Sequence, residues 1–159
     1  MLSTNIKHLG GCLCGKTRFE VEGEPNLVGV CHCRYCQLRT GSAFGVSVYF
    51  TKGQVKLICG DLDTYQFETS TGNKVVFERC KNCGTTLFWE TTAKRLLGFK
   101  GTAGGAYDPP TFWYELDEQV FVRSKAEFCT IDSPKSYMKS VISLNRKEED
   151  PRLTGGSVR

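Results

Sequence analysis

The sequence predicts an all-β fold of the two-layer, sandwich type, and three observations predict it. Short runs rich in aromatic and β-branched residues recur along the chain, glycine or Asx/Gly turns separate most of them, and helical periodicity is scarce. Half-buried strands of this kind need a second layer to cover their apolar face, which is why a sheet pair is expected.

The first strand is read from Thr17 to Glu22, where polar and apolar residues alternate with period two before Gly23, Glu24, Pro25 and Asn26 break the run. Further strands are expected over Val46 to Thr51, Val55 to Cys59, Thr64 to Thr69, Lys74 to Glu78, Thr85 to Glu90 and Gln119 to Arg123. Gly98 to Pro110 holds four glycines and two prolines and reads as a long loop. The best helical pattern is Pro134 to Leu144, where Tyr137, Met138, Val141, Ile142 and Leu144 fall near one face. From Asn145 the chain is charged and then glycine-rich. The expected organisation is one domain over residues 1–159, with a core of about 10–130 and a C-terminal extension of 131–159.

A length of 159 residues can bury a core of ordinary stability without disulfide staples. A net charge of +4, with both signs interspersed, is too weak a bias to indicate nucleic acid. Met1 to Gly11 lacks the apolar run of a secretory signal, and no stretch approaches the roughly 20 apolar residues of a membrane helix, so a soluble cytoplasmic protein is expected. Thiols stay reduced there, and nine cysteines then read as metal ligands before disulfides.

Three clusters carry that chemistry: Cys12-x-Cys14, Cys31-x-Cys33-x2-Cys36 and Cys80-x2-Cys83. Thiolates one or two residues apart can turn toward a common point, and zinc takes four sulfurs in a tetrahedron. Cys80 to Gly84 resembles a zinc knuckle, with Gly84 freeing the backbone that wraps the ion. Cys12 and Cys14, bracketed by Gly11 and Gly15, are its natural partner. Cys31, Cys33 and Cys36 then remain as three ligands and a vacancy, the pattern of a catalytic zinc. Spacing alone also permits Cys12, Cys14, Cys31 and Cys33 to share one ion, leaving Cys36, Cys80 and Cys83. Cys59 and Cys129 each stand in an apolar run and read as small buried hydrophobes. His32 is expected to face solvent or to support a ligand, and His8 carries no signal. Gly10 to Thr17 matches the pattern of a phosphate-binding loop, but no buried strand precedes it and no helix pattern follows, so nucleotide binding is rejected.

The chain resembles the family of glutathione-dependent formaldehyde-activating enzymes and centromere protein V. The resemblance rests on Gly10 to Gly15, on Arg18 and Phe19, on Cys31-His32-Cys33-Arg34-Tyr35-Cys36-Gln37 continuing through Thr40 to Phe44, and on Arg79 to Phe88, in that order and spacing. It covers about Gly10 to Phe128. It implies an Mss4-like β fold, a structural zinc on Cys12, Cys14, Cys80 and Cys83, and a catalytic zinc on Cys31, Cys33 and Cys36. The implied activity is that of a carbon-sulfur lyase acting between formaldehyde and glutathione. Where relatives often carry a His before an Ile-Phe pair, this chain has Gln119 before Val120 and Phe121, and it has Phe128 after Arg123-Ser124-Lys125 where a Trp is common.

A zinc held by three thiolates suits a fourth sulfur, so a small-molecule thiol such as glutathione is the expected partner. Gln37, Thr40 and Ser42 are candidates to hydrogen-bond it, and Arg34 and Arg39 to meet its carboxylates. The rival expectation is a non-catalytic zinc scaffold for a protein or chromatin partner. The short tail Arg146 to Asp150, whose charges nearly cancel, gives little basis for it.

Overall fold

The computed structural model describes residues 6–139. In chain order the elements are β1 (Lys7–Gly11), β2 (Arg18–Glu22), β3 (Leu27–Cys31), α1 (Arg34–Thr40), β4 (Gly45–Thr51), β5 (Val55–Cys59), β6 (Leu62–Glu68), β7 (Lys74–Cys80), β8 (Thr86–Thr91), β9 (Phe99–Ala103) and β10 (Glu118–Val120). Single 3-10 turns follow β4, β8, β9 and β10. One sheet has the order β1-β2-β5, and the other β10-β3-β4-β9-β8-β7-β6. Neighbours pair antiparallel except β10, which runs parallel to β3.

The all-β, Mss4-like sandwich expected from the sequence is therefore corrected. The fold is mixed α/β with open sheets, 14% helical and 43% strand. The sequence hid α1 because none of its residues is buried, so no apolar stripe marks it. Its ends hold it instead: Cys33 enters in an extended conformation, and the Gly41 N–H closes the last turn on the Gln37 carbonyl at 2.8 Å. The long loop expected over Gly98 to Pro110 contains β9. This strand is made of Phe99, Lys100, Gly101, Thr102 and Ala103 and is read by its place between β4 and β8 rather than by hydrophobicity. The expected helix over Pro134 to Leu144 is absent from its described part, where Ser136 bridges to Gln119, and the remainder lies outside the described residues.

The large sheet has two distinct faces. On one, Val28, Val48, Thr102 and Phe88 lie side by side across β3, β4, β9 and β8, and they pack against Phe19 and Val21 of β2. Phe19 is fully buried and meets the Phe88 and Tyr107 rings edge-on at 5.0 and 5.4 Å. On the opposite face, Tyr49, Gly101, Trp89, Phe77 and Tyr65 form the adjacent row, and α1 crosses over it. The small sheet thus covers the core face of the large sheet, while the far face carries the helix and its cysteines.

Arg18 at the start of β2 forms a two-pronged ion pair with Asp108. Its guanidinium holds the Asp108 carboxyl below the usual carboxylate range. A carboxyl lowered on folding contributes stability above the unfolded pKa of about 3.9, and the contribution is lost as pH falls through the folded value. Both side chains are partly exposed, so its size is on the order of 0.5 kcal/mol. Asp108→Asn is expected to lower the urea midpoint at pH 7 and to match the wild type in strong acid. A difference that persists in acid would show that the pair is not its source. No helix among the described residues is long and apolar enough to cross a membrane.

Candidate metal centres

Two turns from different sheets meet to form the first centre. Cys12 and Cys14 lie in the turn from β1 to β2, where Cys12 N–H donates to the Thr17 carbonyl and Gly15 N–H to the Cys12 carbonyl, both at 3.0 Å. Cys80 ends β7, and Cys83 sits in the turn to β8, closed by Gly84 N–H on the Cys80 carbonyl at 2.8 Å. Gly15 and Gly84 follow the second cysteine of each pair in the left-handed region, φ +74° and +76°, where a side chain would be strained. That reversal lets both sulfurs of a pair face one point. The turns are fastened by Leu13 N–H to Thr85 Oγ1 at 3.2 Å and Lys16 Nζ to Asn82 Oδ1 at 3.1 Å.

The sulfurs of Cys12, Cys14, Cys80 and Cys83 all lie within 4.8 Å of one another. Cys12 and Cys14 are 3.5 Å apart, and Cys14 and Cys80 3.8 Å. Four sulfurs at about 2.3 Å from a tetrahedral ion would be separated by about 3.8 Å, so the cluster has the size a metal ion requires. Thr17 N–H donates to Cys12 Sγ at 3.2 Å. The Thr85 hydroxyl and backbone, followed by the Cys14 backbone, draw the Cys83 thiol down to about 5, which favours the thiolate a metal takes.

The second set is Cys31, Cys33 and Cys36, also within 4.8 Å of one another. Cys31 is the last residue of β3, Cys33 leads into α1, and Cys36 is in the helix, so the strand-to-helix corner gathers the three sulfurs. Gly45, opposite Cys31, gives α1 its seat. A Cβ there would stand 3.3 Å from Cys36 Cβ and 3.5 Å from the Arg39 guanidinium carbon. Hydrogen bonds from Cys31 and then Cys33, with the Arg39 charge beside them, hold Cys36 well below its ordinary value. Hydrogen bonds with Cys33 and then Cys36 push Cys31 well above its own ordinary value, and Cys33 is raised as well. Three crowded thiols cannot all ionise without a cation among them, and a divalent metal ion fits that donor set.

The grouping in which Cys12, Cys14, Cys31 and Cys33 share an ion is not the one the chain adopts. Cys59 is exposed and Cys129 half-buried, so neither is the buried hydrophobe expected, and neither belongs to the sets formed among the described residues. Gln37 spends its amide N–H groups on the carbonyls of His32 and Ser124, both at 3.1 Å. The Thr40 hydroxyl lies 2.8 Å from the Cys36 carbonyl and 3.1 Å from that of Phe44, and accepts from Ser42 N–H. Arg39 lies over the Trp89 ring at 3.9 Å from its centre, while Arg34 is exposed.

His32 is completely buried rather than solvent-facing. Its Nε2 lies 3.0 Å from Gln119 Oε1, and its ring meets Phe44 edge-on at 5.8 Å. His8 stacks flat on Trp113, with centroids 3.4 Å apart. Sequence reasoning also missed Tyr49, which faces the helix side of the sheet. Burial pushes its phenol up to about 12, so it stays neutral, and its oxygen accepts from Trp89 Nε1 at 3.2 Å. Only strand pairing could have placed Tyr49 there.

The comparisons with known proteins agree with this geometry. An uncharacterized lyase from Schizosaccharomyces pombe is 29% identical over 139 residues, covering 84% of this chain and 96% of the yeast protein. A crystal structure of a Rhodobacter sphaeroides protein superposes with a TM-score of 0.50 at 20% identity, over 68% of this chain and 96% of that one, and shows likeness of fold. The sequence profile described as glutathione-dependent formaldehyde-activating enzyme matches residues 7–124, a stretch that contains both cysteine sets. With that match the chain is an enzyme of lyase type, and it belongs to the family of glutathione-dependent formaldehyde-activating enzymes.

Proposed function

We propose that the chain is a zinc-dependent carbon-sulfur lyase acting on an adduct of a small-molecule thiol and an aldehyde, such as S-hydroxymethylglutathione. The observation that carries this reading is the inequality of the two centres: one set offers four sulfurs, the other three. A closed tetrahedron suits structure, whereas three protein ligands leave a position for substrate. Bound at the three-cysteine set, zinc would supply a Lewis-acid charge that favours the thiolate form of a sulfur donor.

The residues of the chain supply position and charge. Arg39, stacked on Trp89 and facing Cys36, offsets the negative charge of the thiolates. Arg34 and Ser42 are exposed beside the set, where a guanidinium suits a carboxylate of the thiol. Gln37 and Thr40 hold the helix and its corner through main-chain carbonyls. In the lyase direction the adduct loses its hydroxyl proton and its C–S bond breaks. The C–S electron pair goes to sulfur, the proton lost from the hydroxyl ends there as well, and thiol and aldehyde separate.

Zinc per chain is expected to be near two in the wild type and near one in Cys33→Ser, with the circular dichroism of the two unchanged. A wild type holding one ion, or a Cys33→Ser protein that unfolds, would sink the open-site reading and bring forward a non-catalytic scaffold.

A further inference from the structure

We infer that Gln119 is a positioning residue for the three-cysteine centre, fixing His32 and through it the main chain between Cys31 and Cys33. The inference rests on the reading of that set as a metal centre. Gln119 lies in β10, is only 7% exposed, and makes three side-chain contacts. Its Nε2 donates to Ser136 Oγ at 2.9 Å and to the Ile131 carbonyl at 3.3 Å, and its Oε1 lies 3.0 Å from His32 Nε2.

An amide nitrogen has two hydrogens, and both are spent. The oxygen facing His32 is therefore an acceptor, so His32 Nε2 carries a proton and donates it. The Nδ1 of His32 is buried with no partner among the described residues, which fits the neutral tautomer with its hydrogen on Nε2. The main chain of His32 is tied as well: its N–H donates to the Val120 carbonyl at 3.1 Å, and its carbonyl accepts from Gln37. The residue between the two ligands is thus held at backbone and ring together. A neighbour that orients a ligand's environment in this way tunes the affinity of the site.

Gln119 is in turn held by chain beyond the family match. Gln119 N–H donates to the Lys135 carbonyl at 2.9 Å, and Tyr137 N–H to the Gln119 carbonyl at 3.0 Å, so this segment lies alongside β10. Glu118, one residue earlier, is gripped by both Arg95 Nη atoms at 2.6 and 2.8 Å. Residues 131–137 follow the matched stretch 7–124, so part of the support for Gln119 comes from outside that stretch.

The test uses the full-length zinc protein. The chain has two histidines, so nitrogen-15 spectra of the imidazoles contain only two rings to assign. His32 is expected as the Nε2–H tautomer in the wild type. In Gln119→Leu that preference is expected to be lost, and chelator competition to show about tenfold weaker binding of the second ion, the first being retained. Gln119→Glu keeps an acceptor facing His32 while giving up both amide N–H groups, so His32 Nε2 should keep its proton. Ser136→Ala, which alters an exposed hydroxyl, should weaken the second ion in the same direction by a smaller factor, and it serves if Gln119→Leu does not fold. Two ions in the wild type with unchanged tautomer and affinity in Gln119→Leu, or in Ser136→Ala where it stands in, would overturn the role of Gln119 alone. A wild type that takes up one ion overturns the metal reading of the set, and this inference with it.

Discussion

Cys80→Ser is expected to abolish cooperative folding. Cys80 is buried at the end of β7 and faces Cys14, whose turn belongs to the other sheet, so the four-cysteine set clamps one sheet to the other. In small metal-dependent domains a structural zinc contributes apparent binding free energies of about 10–16 kcal/mol, comparable with the whole stability of a domain, about 5–15 kcal/mol. Replacing the sulfur with a hydroxyl removes a soft ligand and leaves three crowded thiols and a buried polar group. Circular dichroism through a urea titration should show no sigmoidal transition for Cys80→Ser, against a clear one for the wild type and for Cys33→Ser. A Cys80→Ser protein that unfolds at the wild-type midpoint would remove the clamp from the account of this fold.

Phe19→Ala should be the most damaging change among the apolar residues. The ring sits between the two sheets, touching Phe88 on one side and Tyr107 on the other, and Gly10 packs so closely that a Cβ there would stand 2.5 Å from the ring's Cζ. Truncating a buried phenylalanine costs about 3–5 kcal/mol, the loss of transfer energy plus the cavity left behind. The cost should lie toward the upper end, because strands on both sides limit collapse into the space. Chemical denaturation of Phe19→Ala at neutral pH, run beside the wild type in the same metal content and with an unchanged m-value, measures it. A loss below about 1 kcal/mol would mean that the sheets can close around the gap, against the packing described above.

Much of this was legible in the residues. The alternation in β2 announced a strand because it buries one face, and β5 was found to the residue although it is mostly exposed. Its signal was β-branched composition bounded by turns. β3 was not legible: Leu27, Val28, Gly29, Val30 and Cys31 are nearly all apolar or small, so no alternation sets the run apart. α1 was missed for the opposite reason, having no buried residue. At the centres, ligand types and spacing were local facts, whereas the place of His32 and Gln119 depended on a contact across 87 residues.

What the sequence determined by itself was the chemistry available: three cysteine clusters, the short-range turns that aim their sulfurs, and the motif blocks of a family. These are properties of a few neighbouring residues, fixed by backbone geometry and ligand spacing. What the tertiary structure decided was which clusters meet, which face of the large sheet carries α1, and that Gln119 of β10 meets the ring of His32 between Cys31 and Cys33. These follow from strand order and from burial against distant segments, because each such contact depends on how the sheets close and no stretch of sequence contains both of its partners.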